Sequence, residues 1–220
     1  MQWDTSMTKL DYNSWQNCAN WYNKAKALKR ASDKIREAYL VAYHNIDTGK
    51  QVSRDASGTT KVKTDTTNLD IADLDQYSIA MLLMGYTMEN IFRGIVITAM
   101  WLDDPEKVNS ITNFADLAVP IKGGTSLPIL KHDLRRLLNA VGIIEIKFDE
   151  PEKKMMDTLD MFIKHGGRYA TPKEYDPKDP FGLSRIEPIE YPYQALDSLY
   201  QKSMEKLIEL CQEQGKRSSQ

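Results

Sequence analysis

Between Ser14 and His44 the apolar and aromatic residues Trp15, Trp21, Ala25, Leu28, Ile35, Ala38, Tyr39, Ala42 and Tyr43 recur mostly at three- and four-residue steps. That spacing stacks them on one face and predicts a long first helix, with Ser14 as its cap. Residues 47–68 break the pattern. They are polar, threonine-rich and almost free of large apolar side chains, so they read as a long loop, with a short hairpin as the alternative. From Asp73 to Leu102 apolar residues cover nearly every side, as in a helix buried at the centre of a bundle. Asp103-Asp104-Pro105 stops it, because proline cannot continue the backbone bonding.

Past this stop, residues 105–117 suit a short helix and Gly123-Gly124-Thr125-Ser126 a turn. Lys131 to Val141 forms a compact helix with Gly142 as its left-handed terminator. Glu150 to His165 carries a stripe of Met155, Leu159, Phe162 and Ile163, closed by Gly166-Gly167. Five prolines make residues 170–192 an extended connector. Tyr193 to Gln214 is the last predicted helix, with Leu196, Leu199, Tyr200, Met204, Leu207 and Leu210 on one face and a frayed GKRSSQ tail. No convincing strand pattern appears. The expectation is an all-α, up-and-down bundle of about five helices forming a single domain over residues 1–220.

Composition adds limits. Hydrophobic residues make up 41% and charged residues 27%, enough for a sizeable core. The net charge of −2 lacks the basic footprint of a general nucleic-acid binder, although a local basic patch stays open. The apolar run from Ile79 to Trp101 has the length of a membrane span, but Glu89, Asn90 and Arg93 interrupt its middle. Each such charge costs about 2.5–3.5 kcal/mol near a bilayer centre, so a buried bundle helix is expected and no membrane partner. The first residues show neither a basic region nor an apolar run, so no signal peptide is expected. Only Cys18 and Cys211 are present, at opposite ends. Reduced buried thiols in the cytoplasm are the expectation, with a disulfide joining the ends as the alternative.

The chemistry concentrates on a few polar residues in apolar settings. Glu89 and Arg93 lie one helical turn apart, on a row with Leu82, Gly85, Val96 and Met100. Glutamate before arginine at this spacing favours an ion pair. With Asn90 it either borders a polar cleft or subunit interface, or is a structural pair that fixes helix register. His132 stands near a helix start, where it can help hold an anion, belong to a cap, or hydrogen-bond a neighbouring helix. Arg168 and Tyr169 follow two glycines, placing the arginine either for a phosphate or carboxylate or for helix-end carbonyls. His165 suits the negative end of its helix. The sequence contains no phosphate-binding glycine loop, nucleophile elbow or H-E-x-x-H motif, and no metal or cofactor is expected.

Three stretches together resemble the HEPN family of helical bundles. Gly85-Tyr86-Thr87-Met88-Glu89-Asn90-Ile91-Phe92-Arg93-Gly94 is similar to that family's helix with a glutamate, then a basic and a small residue one turn later. Lys131-His132-Asp133-Leu134-Arg135-Arg136-Leu137-Leu138 is similar to its H-x-L-x-x-L helix start, and Gly167-Arg168-Tyr169-Ala170-Thr171-Pro172 to its R-Y-x-x-P turn. The resemblance spans roughly residues 77–172. It implies a homodimer that binds a nucleotide, RNA or protein partner in a stress or defence system, with Glu89, Asn90, Arg93, His132, Arg168 and Tyr169 as binding residues. The family's ribonucleases place an arginine four to six residues before a histidine. Here the nearest approach, Arg36 to His44, has seven residues between and points the two about 80° apart. The nuclease pattern is therefore missing, and a non-catalytic module is expected. The alternatives are a divergent metal-independent endoribonuclease, with His132 and Arg168 as its catalytic candidates, and a purely structural helical protein.

Overall fold

A computed structural model describes residues 13–48, 50–54, 60–64, 71–111, 116–120, 126–128, 132–141, 146–166 and 192–219. Helices dominate. A 3-10 turn, Asn13–Gln16, leads into α1, Cys18–Thr48. Asn17 rather than Ser14 caps α1: its side-chain oxygen accepts the Ala19 N–H at 2.9 Å. Ser14 falls inside the 3-10 turn, one element too early.

The region read as a long loop carries the short hairpin that was its alternative. Strands β1 (Lys50–Arg54) and β2 (Thr60–Thr64) pair antiparallel, with Val52 opposite Val62. Their valine, threonine and lysine content suits an extended ladder, and backbone pairing needs no large apolar side chain. A second hairpin, β3 (Ala118–Pro120) with β4 (Ser126–Pro128), was not foreseen. Three-residue arms are too short to show a periodicity.

α2, Ile71–Asp103, is the central element and touches every other helix. Asp104 ends it and caps α3, Pro105–Ser110, by accepting the Lys107 N–H at 2.9 Å. α4 is Leu134–Val141. α5, Glu150–Met161, opens with a capping box: Asp149 accepts from Glu152 N–H at 2.9 Å and Glu152 accepts from Asp149 N–H at 2.8 Å. It continues as a π-helical turn, Phe162–Gly166. α6, Pro192–Ser218, runs past the expected frayed end. Arg217 holds that end by donating to the Leu102 carbonyl and to Glu213. The connector over 170–191, Arg168 and Tyr169 lie outside the described residues.

Contacts fix the helix directions. Ser32 of α1 donates to the Ala80 carbonyl of α2 at 2.8 Å, and the Tyr39 and Tyr77 rings lie 5.2 Å apart. A Cβ on Gly94 would stand 2.7 Å from Trp21 Cβ and 2.9 Å from Leu207 Cδ1. Residue numbers therefore rise along α2 as they fall along α1, and rise together with those of α6. Met84, Met88, Ile91, Phe92 and Ile95 fill the core with Leu134, Leu137, Met156, Leu159, Leu199 and Leu207. Among the described residues no helix is long and apolar enough to cross a membrane. The polar residues in the middle of α2 are the reason.

The cysteines correct the expectation of reduced thiols. Cys18 and Cys211 form a disulfide across 193 residues of chain, with Cα atoms 5.3 Å apart. The first residue of α1 meets the sixth turn of α6 because the two helices run antiparallel. Sequence distance says nothing about that proximity.

Candidate functional site

α2 carries Glu89 into the core at 2% exposure, as the surrounding Met88, Ile91 and Phe92 demand when their faces all pack. A bare carboxylate there would be prohibitive, so it must be paired. Two partners meet it. Arg93, one turn on, is in contact through Nη2 with Glu89 Oε1, and its side chain is 12% exposed. His132, from the segment entering α4, places Nδ1 2.9 Å from Oε1 and 3.0 Å from Oε2. A carboxylate only accepts, so Nδ1 carries the hydrogen and donates it.

The Arg93 contact is charge on charge rather than an aligned hydrogen bond, and Arg93 Nε has no hydrogen-bond partner among the described residues. Burial lowers the Arg93 pKa from the usual arginine value, while the negative charge of Glu89 acts in the opposite direction. Arg93 is thus a cation whose charge is compensated inside the bundle. His132 is the member that reaches the surface, with 39% of its side chain exposed.

The His132 backbone is anchored by neighbours. Asp133 caps α4, its Oδ1 accepting the Arg136 N–H at 3.0 Å. Asp160 of α5 accepts the Leu134 N–H at 2.8 Å. Lys164 bridges both acids, at 2.6 Å from Asp160 and 3.3 Å from Asp133. Burial acts to lower the Lys164 pKa, but the hydrogen bonds and charges of Asp160 and Asp133 win and raise it. The Tyr86 ring stands edge-on to the imidazole, with centroids 6.3 Å apart.

Glu89, Arg93 and His132 are therefore brought together, and of the three roles open to His132 the observed one is a bond to a neighbouring helix. Asn90 is buried, and its Nδ2 donates to the Tyr86 carbonyl of its own helix at 2.6 Å. That bond turns it toward α2's backbone. Tyr86, Asp160 and Lys164 escaped sequence reasoning. Asp133 three residues before Arg136 was a readable cap signal, but nothing in the sequence tied Asp160 to residue 134. Comparison with family models, with curated proteins and with solved structures finds no match for this chain.

Proposed function

We propose that the chain is a HEPN-like, non-catalytic binding module that recognises a nucleotide or RNA phosphate at the surface above His132, working as a homodimer. The supporting observation is the buried Glu89 that clamps His132 through Nδ1 while neutralising Arg93. Such a clamp fixes ring orientation and keeps Arg93 paired with Glu89. Phosphoryl chemistry needs positive charge where the transition state becomes anionic, and Arg93 is already committed to Glu89. Binding, with Arg168 supplying the positive charge for the phosphate, is the reading we favour. Asn90, Arg168 and Tyr169 remain the further binding residues of the proposal.

One observation favours a second reading, a metal-independent endoribonuclease. A histidine oriented by a carboxylate through Nδ1 has Nε2 set to act as a base. The same experiment separates the two. Fluorescent mixed-sequence RNA and free mononucleotides are titrated with the protein, with His132→Ala and Arg168→Ala variants, and cleavage is followed on gels. Binding without cleavage, weakened at least tenfold by His132→Ala, supports the module. Cleavage abolished by His132→Ala supports the nuclease. Neither binding nor cleavage leaves the triad as a device for packing. Light scattering tests the dimer, and a monomer at high concentration removes it.

A further inference from the structure

The Cys18–Cys211 disulfide lies in the wall of a cleft at the start of α1. The cleft has a volume of about 490 Å³ and is bordered by both cysteines with Asn17, Trp101, Asn109 and Ser218. That volume is within the range of small-molecule sites. The two sulfur-bearing residues are placed unequally. Cys18 is 1% exposed, whereas Cys211 is only partly buried at the core's edge. Exchange at a disulfide is governed by access and by which sulfur is attacked. Cys211 is the more accessible of the two residues.

We propose that this bond is a redox-responsive clasp, opened by a low-molecular-weight thiol that enters the cleft. The thiolate attacks Cys211 Sγ and a new sulfur–sulfur bond forms there. The Cys18–Cys211 bond breaks, its electron pair leaving on Cys18, which takes a proton from water. A second thiolate then attacks the sulfur of the small molecule in the mixed disulfide. The small molecule leaves as its own disulfide, and the Cys211 thiolate is protonated. Two small thiols are oxidised and one protein disulfide is reduced; the oxidised small molecule drives the reverse.

Two arrangements let the open form keep the fold. Cys18 is the first residue of a 31-residue helix, whose positive dipole end favours a departing sulfur anion although burial opposes it. Its Sγ lies 3.6 Å from the Leu207 carbonyl oxygen, an acceptor for the thiol proton once the bond is open. Gln214 also bridges the same helix ends. Its Oε1 accepts the Cys18 N–H at 3.1 Å and its Nε2 donates to the Gln16 carbonyl at 3.0 Å. These bonds persist when the clasp opens. The constraint released is on the last turns of α6, not on the bundle.

The test uses the full chain in glutathione redox buffers without denaturant, with trapped thiols located by mass spectrometry and amide exchange followed in parallel. The expected oxidised protein lacks two hydrogens. Reduced glutathione should open the clasp at least tenfold faster than global unfolding, through an adduct on Cys211. Exchange should then rise over residues 211–218 while α2 stays protected. The Cys18→Ser variant should accept glutathione at Cys211 while folded, and Cys211→Ser should leave Cys18 unmodified. Two free thiols persisting in oxidising buffer, opening only at the unfolding rate, or a first adduct on Cys18 would overturn the proposal.

Discussion

Glu89 and His132 are 43 residues apart in the chain, yet both carboxylate oxygens of Glu89 lie within 3.0 Å of His132 Nδ1. The contact closes a three-member chain from a compensated arginine in the core to an imidazole at the surface. Glu89 is its hinge, since it is the one member that touches both others.

Removing that hinge should be costly. Glu89→Ala leaves Arg93 charged and unpaired in apolar surroundings, and truncating one partner of a buried pair costs about 3–5 kcal/mol. The Glu89→Leu, Arg93→Met double variant should recover most of the loss, because it removes both charges together. Urea unfolding measures both. A single variant within about 0.5 kcal/mol of wild type, the usual range for surface substitutions, would mean that Glu89 is hydrated.

Gly94 sits where α1 and α6 both close on α2. An alanine Cβ there would stand 2.7 Å from Trp21 Cβ, an atom fixed to its backbone. Overpacking costs about 1–3 kcal/mol, partly offset by the roughly 1 kcal/mol by which alanine favours a helix over glycine. Thermal melts of Gly94→Ala should show a net loss of up to about 2 kcal/mol from those two terms. Gly85→Ala should lose less, since the side-chain atoms closest to its Cβ belong to Ile163, which can shift within the core. Equal or greater damage at Gly85 would contradict this account of helix spacing.

Alkaline pH should expose the tyrosine cluster. Burial, with Tyr39 nearby, raises the Tyr77 pKa from 10.0 to about 12. Burial, with Tyr77 nearby, raises Tyr193 to about 12 despite the opposing charge of Arg36, whose guanidinium stacks on the ring at 4.5 Å. A folded-state value above the unfolded one means that the native state holds the proton more tightly. This contribution to stability is complete below pH 10 and is lost as pH climbs toward 12. Absorbance titration near 295 nm should show these two phenols ionising late, in Tyr77→Phe and Tyr193→Phe difference spectra. Ordinary titration of both near pH 10 would refute their burial.

Acid should act through Glu152, which is fully buried at the start of α5. Burial alone would raise its pKa, but hydrogen bonds from Lys202, Ser198 and the Asp149 backbone prevail and lower it below 4.5. Its stabilising contribution is therefore present above pH 4.5 and fades as pH falls through the lower folded value. Glu152→Gln should remove part of the acid dependence and, by loss of charge-assisted bonds, about 2 kcal/mol at pH 7. Urea midpoints at pH 7 and pH 3 test this, and an unchanged pH slope in the variant would count against it.

Much of this architecture could be read from periodicity. The presence of α1, the extents of α2 and α5 and the stop at Asp104-Pro105 follow from local rules: side-chain spacing, caps and the missing proline N–H. The apolar run of α2 also announced that Glu89 and Arg93 needed partners, because desolvation of a charge is costly wherever the chain goes. Those are properties of one segment and its solvent, so a string of residues contains them.

Pairing between distant segments is different. Nothing near Cys18 marks Cys211, nothing near Leu134 marks Asp160, and the polar residues of β1 and β2 gave no apolar alternation to betray their register. The antiparallel packing of α1 against α6 makes the disulfide, and the approach of α5 to α4 supplies the second acid beneath His132. Such neighbours are chosen by how whole helix faces fit, a condition that involves many residues at once and that only the folded chain resolves.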